Sequence, residues 1–310
     1  MKILILGYTG YIGLEVYKKL IKNNFFTRGA AKKNLYNFQN HIDSKFLNKK
    51  NNLRQIVKNF DIIINCVGEV RKKKLMRKTH ILDHNKIVSS IALNAKKFSK
   101  RIHWIQISTL GVYGFDGNGP ITQIINDKTP TNPLSLYEKT KLVSEKILLK
   151  NSHNFFKYTI LRVGTVVSKI SRGTLFDKLV NLAKKNIIIF IETKKTILNV
   201  IYLEDLSNII LRCIHNSRTF GKTYNLATNL KLEDFISFFE KKSFFIFKFN
   251  ISTKILKNLL LFFNIFKKKK IKTQKKNFFL YKRVVSIKPI LKDLKYNIKF
   301  NLNSILKERS

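Results

Sequence analysis

Tyr137 and Lys141 lie four residues apart in the segment SLYEKTKLVSEKILL, which has a helical pattern. Side chains at positions i and i+4 share one face of a helix. An ammonium group beside a phenol stabilises the phenolate and lowers the tyrosine pKa from about 10. The pair therefore predicts a general acid or base at Tyr137, although a solvated helix face is the alternative in so lysine-rich a chain.

Two hydroxyl side chains lie at the end of a predicted strand. The segment HWIQISTLGVYG predicts a buried strand, including His103 and Trp104, that ends at Ser108 and Thr109. Open α/β sheets place their chemistry at the carboxyl ends of strands. We therefore expect these hydroxyls to lie close to Tyr137 and Lys141.

The first residues contain a glycine motif. Gly7, Gly10 and Gly13 form GxxGxxG directly after the strand pattern of ILIL and at the start of a helical pattern. Glycines at these positions permit a sharp turn, let the backbone approach a pyrophosphate, and allow the strand and helix to pack closely. The motif predicts a dinucleotide site, with an ordinary turn as the alternative.

The end of the second strand of such a fold, around Thr27 to Lys33, bears on the choice of dinucleotide. The segment TRGAAKK contains no acidic residue to accept hydrogen bonds from the adenosine ribose. Arg28, Lys32 and Lys33 are available for a 2′-phosphate instead. NADP is therefore favoured slightly over NAD, because lysine is frequent throughout this chain.

These residues require an alternating order of elements to position them. Strands are predicted at Lys2 to Leu6, Asp61 to Val67, His103 to Ser108 and Tyr158 to Val163, and helices at Gly13 to Lys22, His84 to Phe98 and Leu136 to Lys150. The alternation predicts an α/β fold, a Rossmann-type doubly wound parallel sheet with a smaller C-terminal substrate lobe. We assign 1–167 to the Rossmann domain, with 197–228 returning to it, and 168–196 with 229–310 to the lobe.

Composition excludes several classes of protein. A net charge of +43 is extreme, but the lysines are scattered, which predicts no specific nucleic-acid partner. Cys66 and Cys213 lack disulfide-scaffold or metal-ligand spacing, so we predict no metal site and a cytoplasmic location. The segment from Ile255 to Phe266 is too short for a transmembrane span. A core helix is preferred there, with contact to a membrane surface as the alternative.

Taken together, GxxGxxG, the STLGVYG turn and the PxxPxSxYxxxK pattern resemble the extended short-chain dehydrogenase/reductases, the NAD-dependent epimerase/dehydratase family. DIIINCVG at 61–68, NVIYLEDLSNII at 199–210, KTYNLAT at 222–228 and the C-terminal segment from Val284 onward resemble further family segments. The resemblance implies Thr109, Tyr137 and Lys141 as catalytic residues, and Ser108, Asn85 and Thr165 as substrate-binding residues. The implied cofactor-binding residues are Gly7, Thr9, Gly10, Tyr11, Ile12, Gly13, Lys32, Cys66, Val67, Gly68, Tyr137, Lys141 and Val163.

The reaction implied by the resemblance is hydride transfer on a nucleotide-linked sugar, by an epimerase or a 4-keto reductase that serves surface polysaccharide synthesis. Leu110 and Gly111 stand where the family's dehydratases carry acidic residues, so dehydration is disfavoured. Val163 and Thr165 replace a common Pro and Asn. Leu198 replaces a basic residue that grips a nucleotide phosphate, a role that Lys194 or Lys195 is left to fill.

Two alternative functions fit the sequence. In the first, the chain is a non-catalytic, dinucleotide-binding subunit of a larger assembly, although relatives of that kind typically lose YxxxK. In the second, the chain is a hydroxysteroid-dehydrogenase-like oxidoreductase that acts on a lipid. The oligomeric state is open, and a homodimer is compatible with the sequence.

Overall fold

The computed structural model describes residues 1–35, 37–114, 122–170, 174–191, 196–214, 216–241, 247–251, 282–299 and 301–302. Its centre is a sheet of seven parallel strands, in the spatial order β3, β2, β1, β4, β5, β7, β11. These strands are β1 (Lys2–Leu6), β2 (Phe26–Ala31), β3 (His41–Asp43), β4 (Ile62–Asn65), β5 (Ile102–Thr109), β7 (Phe156–Val163) and β11 (Lys222–Leu226).

Helices cover both faces of this sheet, as expected where every strand is parallel. On one face lie α1 (Tyr11–Lys22), α7 (Leu203–Ile214) and α9 (Lys288–Leu294), and on the other lie α2 (Lys50–Asn59), α4 (His84–Lys97) and α5 (Leu136–Asn151). The other helices of the described residues are α3 (Lys73–Arg77), α6 (Leu175–Ala183) and α8 (Leu232–Glu240). A π-helical segment, Lys78–Asp83, joins α3 to α4, and a 3₁₀ turn, Leu110–Tyr113, follows β5. The predicted Rossmann-type doubly wound sheet is confirmed.

The central strands are buried on both sides, which explains their nearly continuous apolar sequences. Ile3 and Ile5 of β1 pack with α1, α7 and α9 in one core, whereas Leu4 packs with α2 and α4 in the other. Trp104 is fully buried in the second core, and His103 is buried on the same strand. The alternation of faces along each strand thus splits the apolar residues between two layers.

Shorter strands form three small sheets beyond the central one. They are β8 (Thr165–Val167) with β10 (Ile197–Tyr202) and β12 (Thr228–Lys231), β9 (Ile187–Ile191) with β13 (Phe247–Ile251), and β6 (Thr122–Ile125) with β14 (Lys282–Val285). A separate core joins α6 and α8 to β8, β10 and β12. Leu198 is buried in β10. The proposed domain boundaries stay a prediction.

Two predictions fall outside the residues that the structure describes. These are the helix or membrane-surface segment at Ile255 to Phe266, and the phosphate-binding role of Lys194 or Lys195. Among the helices that the structure does describe, none has the length and apolar character to cross a membrane.

Candidate active site

The glycine motif forms a tight turn between β1 and α1. Gly7 has a φ of +76°, a conformation that favours glycine. At Gly13 a Cβ atom would lie 2.9 Å from the Tyr8 Cα, so a larger residue would push the turn apart. Gly10 is the N-cap residue of α1, which begins at Tyr11. The turn thus leaves a bare backbone cradle before a helix N-terminus, which suits a pyrophosphate.

The turn after β4 lies directly against the glycine turn. A Cβ at Gly7 would be 3.1 Å from the Val67 nitrogen. The Cys66 N–H donates to the Leu6 carbonyl over 2.9 Å, and the Val67 N–H donates to the Asn65 Oδ1 over 3.0 Å. β1 and β4 flank the point where the strand order reverses, which is where open α/β sheets bind ligands.

Cys66 follows β4 at this switch point and packs, partly buried, against the core that contains β1, α1 and α7. Burial raises the pKa of its thiol to about 12, so the thiolate needed for nucleophilic chemistry is not formed near neutral pH. Gly68 follows it in an exposed position. The raised pKa argues against a reactive thiol, and the placement of Cys66 beside a cofactor stays a prediction.

The basic residues around β2 separate into two groups. Lys32 and Lys33 are exposed directly after the last residue of β2, at the edge that carries the glycine turn. Arg28 pairs in register with Leu4 in mid-strand, and lines a pocket of about 230 Å³ with Phe26 and Phe60. Its predicted contribution to a 2′-phosphate site is therefore wrong, because its side chain occupies the body of the strand instead of the carboxyl edge.

Tyr8 is a residue of this site that the sequence analysis missed. Its fully buried ring lies across Gly29, where a Cβ would overlap the ring. The Tyr8 hydroxyl lies 2.9 Å from the Asn34 Oδ1 and 2.9 Å from the His41 Nδ1. Tyr8 thereby anchors the loop that carries Lys32 and Lys33. The glycine in the middle of a strand was the available signal, since it often marks a close approach.

Helix α5 carries Tyr137 and brings Lys141, one turn later, to the carboxyl end of β5. A capping box of Ser135 and Glu138 starts the helix one residue before Tyr137. The Lys141 ammonium is buried and donates to the Ile107 carbonyl oxygen over 2.6 Å. Burial lowers the pKa of Lys141 to about 8, while Glu145 opposes this shift. A rigid strand thus fixes the lysine.

The phenol of Tyr137 does not have the lowered pKa that the sequence analysis expected from its lysine neighbour. Burial, aided by the charge of Glu138, raises the pKa of Tyr137 to about 12. The hydrogen bond of Lys141 goes to the backbone of β5, where it offsets desolvation of the ammonium. In the protein alone, burial therefore dominates the acidity of Tyr137, and a proton-transfer role requires further positive charge at the site.

The two hydroxyls after β5 occupy different environments. Thr109 is the N-cap of the 3₁₀ turn, and its Oγ1 accepts from the Gly111 N–H over 3.1 Å. Ser108 is buried and donates its hydroxyl proton to the Glu145 carboxylate. The half-buried Thr109 remains suited to its predicted role. The contacts of Ser108 do not support its predicted contact with substrate, since its proton is already engaged.

Glu145 belongs to a buried polar network that the sequence analysis did not anticipate. Its carboxylate forms a 2.7 Å ion pair with Arg162 of β7. Arg162 also donates to the Tyr113 hydroxyl over 2.9 Å, and that hydroxyl donates to the Asn225 Oδ1 over 2.8 Å. The network ties α5, β7, β11 and the turn after Thr109 together. Glu145 follows Lys141 by four residues, a helical spacing that offered a signal.

Three other predicted residues lie on α4, at the end of β7 and in an adjoining small sheet. Asn85 is exposed on α4, where its Oδ1 accepts from the Ser89 hydroxyl over 3.3 Å, a position that does not support substrate contact. Val163 ends β7 in register with Thr109. Thr165 pairs with Val200 in the adjoining small sheet, so it stands at the junction between the two sheets.

Within the described residues, no group of three or more His, Cys, Asp or Glu side chains is arranged to hold a metal ion.

A family model for the NAD dependent epimerase/dehydratase family matches residues 3–227. The chain belongs to this family. The resemblance inferred from the glycine, STLGVYG and YxxxK motifs is thus confirmed, and the match covers every strand of the central sheet except the first residue of β1.

The curated relatives include two different kinds of protein. Methionine adenosyltransferase 2 subunit beta from Bos taurus is 27% identical over 188 residues, covering 57% of this chain and 52% of the relative. UDP-glucose 4-epimerase from Lactobacillus helveticus is 26% identical over 187 residues, covering 56% and 54%. The chain spans about half the length of these curated relatives that it matches.

Several solved structures share the fold. UDP-glucuronic acid 4-epimerase from Bacillus cereus, in complex with NAD, superposes with a TM-score of 0.71 at 18% identity, covering 99% of this chain and 94% of that one. ADP-L-glycero-D-manno-heptose-6-epimerase from Helicobacter pylori gives 0.70 at 18% identity, with 99% and 94% covered. At such identity the likeness concerns the fold.

Proposed function

We propose that this protein is an NAD(P)-dependent epimerase or 4-keto reductase that acts on a nucleotide-linked sugar. The observation that carries the proposal is the bond from the Lys141 ammonium to the Ile107 carbonyl oxygen, two residues before Thr109 at the carboxyl end of β5 and two strands from the glycine turn. Tyr137 precedes Lys141 by one turn of the same helix. Family membership and the nucleotide-sugar epimerases among the solved neighbours support it.

The chain's own residues fit a dinucleotide at the switch point. Gly7 and Gly13 leave space that a Cβ would fill, and the N-terminus of α1 offers backbone N–H groups to phosphates. The turn of Cys66, Val67 and Gly68 forms the second wall. When bound, a nicotinamide dinucleotide would supply the hydride acceptor and donor.

Within this proposal, Tyr137 removes the proton from a sugar hydroxyl or returns it to a keto oxygen. Thr109 holds the same oxygen through a hydrogen bond, and Lys141 orients the dinucleotide ribose and adds positive charge beside the phenol. An epimerase returns hydride to the opposite face of the sugar, whereas a reductase completes only the second half. Leu110 and Gly111 carry no acid for removing water.

The exposed Lys32 and Lys33 support NADP as the preferred dinucleotide, because cations at this position attract a 2′-phosphate. Several solved neighbours were crystallised with NAD. Binding of NADPH and NADH to the wild-type chain and to the Lys32→Ala/Lys33→Ala variant tests this preference. We expect the variant to weaken NADPH binding more than NADH binding; equal effects would contradict the preference.

The reaction is tested with NADPH, NADH and a panel of UDP-, GDP- and dTDP-sugars, followed by mass and NMR analysis. An unchanged mass with altered stereochemistry identifies an epimerase, and two added hydrogens identify a reductase. Tyr137→Phe should abolish turnover while the dinucleotide still binds. Turnover that persists in Tyr137→Phe would refute the role of Tyr137.

A second candidate function is a non-catalytic subunit of a larger assembly. It is favoured by the similarity to methionine adenosyltransferase 2 subunit beta, from cattle and from Xenopus tropicalis. Stoichiometric co-purification with an adenosyltransferase, without turnover on any sugar nucleotide, would favour this function over the first.

A further inference from the structure

The π-helical segment Lys78–Asp83 places one histidine inside the candidate active site. A π turn is a rare insertion in a helical stretch and is frequent at functional sites, because it redirects a side chain from the regular helical path. His80 lies in this segment and is 3% exposed. Its ring meets the Tyr137 ring edge-on, with centroids 5.8 Å apart at an interplanar angle of 70°.

The hydrogen bonds of His80 define its tautomer. The Glu69 N–H donates to the His80 Nε2 over 3.0 Å, so this nitrogen carries no proton. The Nδ1 therefore carries the proton and donates to the Thr140 Oγ1 over 2.9 Å. Burial, reinforced by the charge of Lys141, lowers the pKa of His80 to about 4, which keeps the ring neutral near pH 7.

Thr140 continues this contact to the catalytic helix. Its hydroxyl donates to the Tyr137 carbonyl oxygen over 2.9 Å. One turn further along α5, the Ser144 hydroxyl donates to the His80 carbonyl oxygen over 2.5 Å. Both the ring and the backbone of His80 are thus attached to the helix that carries Tyr137 and Lys141.

The opposite side of the ring holds the loop after β4. The Glu69 carboxylate accepts from the Arg71 and Lys72 N–H groups over 2.7 Å and 3.1 Å, which closes the loop into a turn. This turn directly follows Cys66, Val67 and Gly68. A shift of Glu69 would therefore move the wall that faces the glycine turn.

We propose that His80 is a positioning residue that holds the Cys66–Glu69 loop and the Tyr137 helix in a fixed relation, so that dinucleotide and phenol are aligned. This rests on the proposed dinucleotide site. The His80 ring accepts from the loop with its Nε2 and donates to the helix with its Nδ1.

Two substitutions separate these contacts. His80→Gln places an amide oxygen where Nε2 accepts, and so retains the bond from the Glu69 N–H. His80→Asn places an amide donor where Nδ1 donates to Thr140, but does not reach Glu69. His103→Gln is the matched control, because His103 is a buried histidine of β5 that bonds Thr159 in the sheet.

The test combines hydrogen exchange of the Glu69 amide with fluorescence titration of NADPH and NADH. We expect His80→Asn to lose protection of the Glu69 amide and to weaken dinucleotide binding by about tenfold, the effect of roughly one hydrogen bond. His80→Gln and His103→Gln should retain protection and bind within about twofold of the wild-type chain.

Equal protection and equal binding in His80→Asn and His80→Gln would overturn the positioning role. A wild-type chain that binds neither NADPH nor NADH would instead contradict the proposed function. In that case the exchange of the Glu69 amide in the two variants still decides whether His80 holds the loop.

Discussion

The Lys141 ammonium donates a 2.6 Å hydrogen bond to the Ile107 carbonyl oxygen, which joins helix α5 to the strand that ends at Thr109. This bond gives a buried cation one fixed partner on a rigid element. The position of the ammonium is therefore determined before any ligand arrives. Preorganised charge of this kind stabilises a transition state without reorganisation during the reaction.

Replacing Lys141 should separate catalysis from stability. Lys141→Met removes a buried charge and keeps a similar apolar stem, so we expect the free energy of unfolding to change by less than about 1.5 kcal/mol. Turnover should fall by about 10²-fold or more, because the phenol loses its cationic neighbour. Urea unfolding and the absorbance of reduced nicotinamide measure the two effects. Turnover within a fewfold of wild type would contradict this role.

The acidity of Tyr137 should change on ligand binding. In the protein alone its pKa is raised to about 12 by burial. Addition of NAD⁺ or NADP⁺ should lower this pKa, because a positive charge near the phenol favours the phenolate. Ultraviolet difference titration of the wild-type chain against Tyr137→Phe isolates this one phenol. An unchanged titration with saturating dinucleotide would argue against proton transfer by Tyr137.

Ser108 should stabilise the folded protein and should not contribute to substrate binding. Its hydroxyl donates to Glu145 in a buried setting, so Ser108→Ala should lower the free energy of unfolding by about 1–3 kcal/mol. The KM for the sugar nucleotide should stay unchanged. Denaturant unfolding and steady-state kinetics measure both quantities. A raised KM with unchanged stability would instead restore Ser108 as a substrate-binding residue.

The effects of replacing Glu145 and Arg162 on the free energy of unfolding should be strongly coupled. Glu145→Ala leaves the largely buried Arg162 guanidinium without its carboxylate, which should cost about 3–5 kcal/mol. The double variant Glu145→Ala/Arg162→Met should recover part of this loss, because it removes the unpaired charge. Chemical unfolding of Glu145→Ala, Arg162→Met and the double variant completes a double-mutant cycle that measures the coupling. Additive losses would show that the two residues act independently.

Buried histidines should make stability depend on pH. Burial lowers the pKa values of His80, His84 and His103 to about 4, about 3 and about 3, whereas an unfolded histidine titrates near about 6.5. Between these values the unfolded chain binds more protons. The free energy of unfolding should therefore rise with pH across this window and fall on acidification, by up to about 1.4 kcal/mol per pH unit for each histidine.

His103→Gln tests this dependence at a site remote from Tyr137. Its unfolding free energy should change less steeply between about pH 4.5 and 6 than that of the wild-type chain, by roughly one proton. Denaturant unfolding at a series of pH values measures the slope. An identical slope in the variant would show that His103 takes up its proton without unfolding.

The predicted elements agree closely with the structure where hydrophobic patterning was regular. β1 has the predicted bounds Lys2–Leu6, and α5 extends one residue beyond its predicted end at Lys150. Short elements such as β3 and α3 were not anticipated, since three to five residues contain too little periodicity. Arg28 was misplaced because a basic residue near a strand end does not reveal which part of the strand it occupies.

The amino-acid sequence by itself determined the order of elements, the glycine turn and the placing of Tyr137 and Lys141 on one helix face, because these depend on local spacing. Only the tertiary structure decided what surrounds them. Lys141 meets Ile107, and His80 meets both Glu69 and Thr140, through contacts between segments that lie far apart in the chain. Burial, which sets the acidity of Tyr137, depends on the packing of all these segments and therefore appears only in the folded protein.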